Sequence, residues 1–145
     1  MRLRKFSVGV VVAMVLIISG CQETFLIKVV DEPFEPTFEI AQPIMFVTQG
    51  GFISVSEYDP HRNVSEEVWS VTRVQGASDT SLSRVKYGEP PAGFTAWMAK
   101  KDLKPGVIYA VYVKSGGTNA VGYFKILYDG ATPKLVNMDP RGELK

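Results

Sequence analysis

From residue 37 onward, short apolar or β-branched runs alternate with clusters of turn residues, and no stretch of ten or more positions carries apolar residues at helical spacing. Strands are expected over 37–40, 44–48, 52–58, 68–74, 82–88, 94–98, 107–114 and 121–128, with a further one at 134–138. The breaks hold Gln49-Gly50-Gly51, Asp59-Pro60, Glu89-Pro90-Pro91-Ala92-Gly93, Lys104-Pro105-Gly106, Gly116-Gly117 and Asp129-Gly130, residues that fix φ or tolerate positive φ. Runs of this length and spacing predict an all-β domain, an antiparallel sandwich. No internal repeat or low-complexity segment interrupts them.

The alternation also predicts one hairpin in register. Tyr109, Val111 and Val113 share one face of their run, and Phe124 and Ile126 share one face of the next. Both sets reach the core only if paired residue numbers have an odd sum, because a one-residue slip turns a strand inside out. A sum of 235 sets Ser115 opposite Ala120 around a four-residue loop, Val111 opposite Phe124 and Tyr109 opposite Ile126. Outside, Tyr112 then faces Tyr123, with Lys125 on the same face and opposite Ala110. Such an aromatic pair is either sheet cover, contributing about 0.2 to 1 kcal/mol, or a stacking platform open to solvent.

The first twenty-one residues follow a different pattern. Arg2, Arg4 and Lys5 are basic, and residues 6–18 are then apolar apart from Ser7 and Gly9, fewer than the roughly 20 that a membrane-spanning helix needs. Ile18-Ser19-Gly20-Cys21 closes the run and contains the only Cys of the chain. This resembles the lipobox of bacterial lipoproteins. The resemblance implies cleavage before Cys21, a diacylglyceryl group on its thiol and a further acyl chain, such as palmitate, on its amino group. With about 0.8 kcal/mol contributed by each buried methylene, such a residue anchors the chain to the membrane without a second signal. The other reading is an ordinary secretory peptide or anchor helix, with Cys21 a buried small residue. Gln22, not Asp, follows the Cys, which by the sorting rule of enteric lipoproteins favours the periplasmic face of the outer membrane.

Removing residues 1–20 changes the charge. The whole chain of 145 residues has 16 basic and 15 acidic side chains; without Arg2, Arg4 and Lys5 it keeps 13 against 15. A mildly acidic surface excludes a nucleic-acid binder of the usual basic kind. One Cys excludes an internal disulfide framework, and one Cys with one His excludes a thiolate or imidazole metal cluster. The remaining length suits a single domain. Residues 21–36 are expected to be the lipidated Cys and a tether, since Asp31-Glu32-Pro33-Phe34-Glu35-Pro36 is proline-rich and acidic, and 37–145 the folded domain. Residues 25–30, Phe25-Leu26-Ile27-Lys28-Val29-Val30, have strand propensity and either pair with the sheet or lie along the interface.

Leu103-Lys104-Pro105-Gly106-Val107-Ile108-Tyr109 resembles the corner before strand F of fibronectin type III and immunoglobulin-like domains. There a Leu, a Pro-Gly turn and a Tyr precede an alternating strand, and the Tyr hydroxyl bonds back to backbone upstream. The resemblance implies that role for Tyr109, with Trp69 as a buried core tryptophan. Together with Val68-Trp69-Ser70-Val71 and residues 87–94, the corner is also similar to small bacterial lipoproteins of unassigned function. A fold of this kind carries no function by itself.

Catalytic patterns are weak. Ser83 and Lys86 have the S-x-x-K spacing of serine β-lactamases, but on a strand residues three apart point to opposite faces. His61 is a lone loop histidine, adjacent Glu66 and Glu67 diverge on a strand, and Glu57 with Asp59 is too small a set for a calcium cage. Lys100, Lys101 and Lys104 read as a solubilising edge, Gly116-Gly117 lies between strands and makes no phosphate loop, and the sequon Asn63-Val64-Ser65 has no use in a bacterial lipoprotein. The expectation is a non-enzymatic binding or structural module of the envelope, without cofactor or metal. Its partner is an envelope protein or a polysaccharide, met at Tyr112, Tyr123 and Lys125. The alternative is an accessory component of an envelope enzyme or transport system. A concave pocket joining His61 to two of Glu57, Asp59 and Glu66 would favour catalysis.

Overall fold

The computed structural model describes residues 24–47, 50–62 and 64–139. These form β1 (Thr24–Glu32), β2 (Glu35–Phe46), β3 (Phe52–Asp59), β4 (Val64–Arg73), β5 (Thr80–Lys86), β6 (Phe94–Met98), β7 (Ile108–Ser115), β8 (Thr118–Asp129) and β9 (Thr132–Met138), with no helix among the described residues. The strands hydrogen-bond in the order β5-β2-β1-β8-β7-β3-β4-β6, with β9 added alongside β8, in one curled sheet. The all-β expectation holds. Residues 1–20, expected to be a signal segment, and Cys21 lie outside the described residues, as does Asn63.

Among the described residues the sheet already includes Thr24, ahead of the boundary expected at residue 37. Ile27 and Val29 are buried, and Lys28 between them is exposed, so residues 25–30 alternate like any half-buried strand and cannot serve as a free tether. β1 pairs parallel to β8 over Thr24 to Leu26, then antiparallel to β2 from Ile27 to Glu32. After β1 leaves β8, Asn137 on β9 takes over its free edge. The Val29 amide donates to Asn137 Oδ1 at 2.8 Å, and Asn137 Nδ2 donates to the Val29 carbonyl at 2.9 Å. The two strands expected at 37–40 and 44–48 fall, as far as Phe46, in the one strand β2, which shifts register against β5 between Glu39 and Ile44.

The curl brings the inner faces of β2 and β8 together. Phe38 and Phe124 meet at 6.0 Å between ring centroids, and Tyr109 stacks on Phe124 at 5.2 Å. Trp69 is buried edge-on against Tyr87 at 5.5 Å. Phe46 meets Phe94 at 4.9 Å, and the buried Arg73 lies over the Phe94 ring at 5.3 Å. Fully burying such aromatic and aliphatic side chains stabilises the fold by about 1.5 to 3 kcal/mol each.

The hairpin expectation requires correction. β7 and β8 pair with a sum of 233, joined through Gly116-Gly117, with Ser115 opposite Thr118, Val111 opposite Gly122 and Tyr109 opposite Phe124. The faces are as expected: Tyr109, Val111, Val113, Phe124 and Ile126 are all buried. The register is two residues tighter, because Gly116 adopts φ +57° and permits a two-residue turn.

Candidate functional site

The corner before β7 is built from Leu103, Pro105, Gly106 and Tyr109. Leu103 is buried, Gly106 has φ +79° and donates its amide to the Ile126 carbonyl at 2.8 Å, and the Lys104 amide donates to the Tyr109 hydroxyl at 2.7 Å. Burial raises the Tyr109 phenol above its ordinary pKa, with the Lys104 amide opposing that shift. A second tyrosine ties the same region together: Tyr87 donates to the Lys101 carbonyl at 2.6 Å from a fully buried ring. These residues fix the connection, and of them only Gly106 borders an open depression, at the end of β3.

The outer face of β8, β7, β3, β4 and β6 carries the polar and aromatic side chains that alternate with the core. In β3, Ile53 and Val55 are buried, which turns Phe52, Ser54, Ser56 and Tyr58 outward. Tyr112 and Tyr123 share this face but do not oppose each other. Tyr112 sits opposite Val121, Tyr123 opposite Ala110, and Lys125 opposite Ile108, not Ala110. Each tyrosine packs on β3 instead: Tyr112 on Phe52 at 5.7 Å, and Tyr123 on Tyr58 at 5.2 Å. Burial and the neighbouring Tyr58 raise the Tyr123 phenol above its ordinary pKa.

Beside this aromatic row lies an open cleft of about 330 Å³, walled by Phe52 and Trp97 and floored by Ser70 and Thr72. Trp97 is 80 % exposed, the most open of the large apolar side chains described. It is the residue left without a pairing partner where β6 shifts register, between Ala96 opposite Val71 and Met98 opposite Ser70. Glu67 lines the cleft, accepts a hydrogen bond from the Ser70 hydroxyl and has no cationic partner among the described residues. The cleft thus combines two aromatic surfaces, a carboxylate and two hydroxyls. Phe52, Glu67 and Trp97 were not among the expected site residues, because their juxtaposition depends on which strands neighbour β3 and β4.

The acidic residues near His61 form a different depression, of about 400 Å³, at the end of β3. It gathers Glu57, Asp59 and Glu66, but His61 does not line it. Each carboxylate has a cation close by: Lys104 at 3.6 Å from Glu57, Arg62 at 3.7 Å from Asp59, and Lys101 at 3.2 Å from Glu66. Lys100 pairs with Glu35 at 2.8 Å, so these lysines are ion-paired and not simply a solvated edge. Ser83 and Lys86 lie three apart on β5, and no group of three or more potential ligands suited to a metal occurs among the described residues.

The chain, compared with protein-family models, curated proteins and solved structures, matches none of them.

Proposed function

We propose that the chain is a lipoprotein of a bacterial envelope, acylated at Cys21, whose domain is an immunoglobulin-like sandwich acting as a non-enzymatic binding module. The strand grouping supports the fold: β2 and β5 pair with each other and with none of β3, β7 and β8, as strands B and E stand apart from C, F and G in that architecture, while β1 joins the two groups by pairing with both β2 and β8. The Tyr109 hydroxyl bonded to the Lys104 amide is the corner geometry of the same fold. Neighbouring cations at Glu57, Asp59 and Glu66 argue against a free acid and base pair there.

The observation that carries the binding role is the Phe52 and Trp97 cleft. An 80 % exposed tryptophan beside a carboxylate and two hydroxyls suits a polysaccharide, whose sugar rings offer apolar C–H faces to aromatic rings and hydroxyls to Glu67. The test is retention of the full chain on immobilised envelope polysaccharide. Trp97→Ala should abolish retention while the melting temperature stays within a degree or two of the parent; equal retention by both proteins rejects the cleft.

A further inference from the structure

One end of the domain differs chemically from the other, and it is the end that carries Thr24. Thr24 pairs with Asn119, Asn119 with Lys114, Lys114 with Phe52 and Phe52 with Thr72, so these positions lie at one level across the sheet. β2 reaches the same level, since the Ser115 hydroxyl donates to the Met45 carbonyl at 2.6 Å. So does the end of β4, where the Arg73 amide donates to the Gly51 carbonyl at 3.0 Å. At this rim Met45 is 56 %, Val47 49 % and Val74 41 % exposed, and Leu26, two residues past Thr24, is 61 % exposed. The charged side chains described there are Asp79, Lys114 and the buried Arg73. Among the described residues, seven ion pairs lie from the middle of the sheet to its other end, including Asp59 with Arg62, Glu35 with Lys100, and Glu57 with Lys104.

We propose that this apolar rim, Met45, Val47 and Val74 beside Leu26, rests directly on the lipid surface. The inference builds on acylation of Cys21. Only Gln22 and Glu23 separate Cys21 from Thr24, and the three Cα-to-Cα steps between them span at most about 11 Å fully extended. An anchor that short cannot hold the sheet clear of the headgroups, so whatever surrounds Thr24 meets the interface. Exposed aliphatic side chains with few charges suit that position, because contact strength there scales with buried apolar area. Asp79, Lys114 and the buried Arg73 are few and of mixed sign, so the contact is mainly apolar and should depend little on salt. The charged end, with Asp59, Arg62 and Lys104, then faces away from the membrane.

Depth measurement on the full acylated chain tests this. Val47→Cys or Tyr128→Cys supplies the free thiol for a nitroxide, since the Cys21 thiol carries its diacylglyceryl group, and intact mass reports that acylation independently. Each labelled protein is placed in vesicles of phosphatidylethanolamine and phosphatidylglycerol. The label at 47 should favour collision with oxygen over a water-soluble nickel chelate by several-fold relative to the label at 128, on the opposite turn. Equal nickel access at both positions in a protein of acylated mass overturns the proposal. Dipolar broadening at 47 that disappears on dilution with unlabelled protein also overturns it, by showing a second copy on the rim. A mass without acyl groups instead rejects the anchor, and the rim proposal with it.

Discussion

Gly122 passes beneath Ile27 so closely that a Cβ at position 122 would lie 2.6 Å from the Ile27 carbonyl oxygen. The contact falls where β1 stops pairing with β8, after Leu26, and begins pairing with β2, at Ile27. Backbone cannot retreat there without breaking one pairing or the other. Gly122→Ala should therefore cost about 2 to 3 kcal/mol, read as a lower urea midpoint with an unchanged slope.

Asn137 replaces a missing strand for Val29, accepting from its amide and donating to its carbonyl. Asn137→Ala leaves both backbone groups without those partners, and about 1 to 3 kcal/mol of stability should be lost. Hydrogen exchange at the Val29 amide checks the cause: it should accelerate far more than exchange at Phe38, on the neighbouring strand.

The two corner tyrosines should respond unequally to loss of the hydroxyl. Tyr87→Phe strands the Lys101 carbonyl beside a fully buried ring and should cost about 1 to 3 kcal/mol. Tyr109→Phe removes a single backbone contact, with the Lys104 amide, whereas the Tyr87 hydroxyl also approaches the buried Val68 carbonyl at 3.5 Å, so the cost at Tyr109 should fall lower, near 1 kcal/mol. Equal urea midpoints for the two variants would contradict this ordering.

Alkaline pH should destabilise the domain. Burial raises the Tyr87, Tyr109 and Tyr123 phenols above 10.0, their ordinary value. Below pH 10 both folded and unfolded chains keep these phenols protonated, and the folded state holds its full stability. As pH rises past 10, the unfolded chain releases protons that the folded chain retains, so stability falls with pH until the raised folded values are crossed. Urea midpoints from pH 8 to 11 measure the slope, which Tyr87→Phe should reduce.

Because Tyr112 packs on Phe52 and Tyr123 on Tyr58, the double change Tyr112→Ser with Tyr123→Ser removes two ring contacts. The loss should be about 1 to 3 kcal/mol in calorimetry. Trp97→Ala, at an 80 % exposed position, should leave the melting curve nearly unmoved, and the contrast separates sheet cover from ligand contact.

The β character of the chain, the positions of β3, β4, β6, β7, β8 and β9, and the inward faces of β7 and β8 are legible in the alternation of residues such as Ile53, Val55, Tyr109 and Val111. The β7 to β8 register is not, because sums of 233 and 235 place the same side chains inside, and only the turn at Gly116-Gly117 separates them. β1 is masked by its neighbours: the acidic, proline-rich residues 31–36 suggest a linker, whereas Ile27 and Val29 alternating around Lys28 mark a strand. Pro36 sits within β2, opposite Asp31, close to the turn where the sheet tolerates it. The cleft between Phe52 and Trp97 depends on β6 lying beside β4, a long-range pairing that no local pattern encodes.

The parallel pairing of Thr24 with Asn119 also sets an order of events during synthesis. Asn119 emerges 95 residues after Thr24, which at ribosomal rates corresponds to roughly 5 to 20 s. Through that interval β1 can form its hairpin with β2, but its first three residues have no template, and the sheet cannot close. A sheet whose β1 waits for residues in the last third of the chain closes late, and its final seam joins the strand made first among those described to one made near the end.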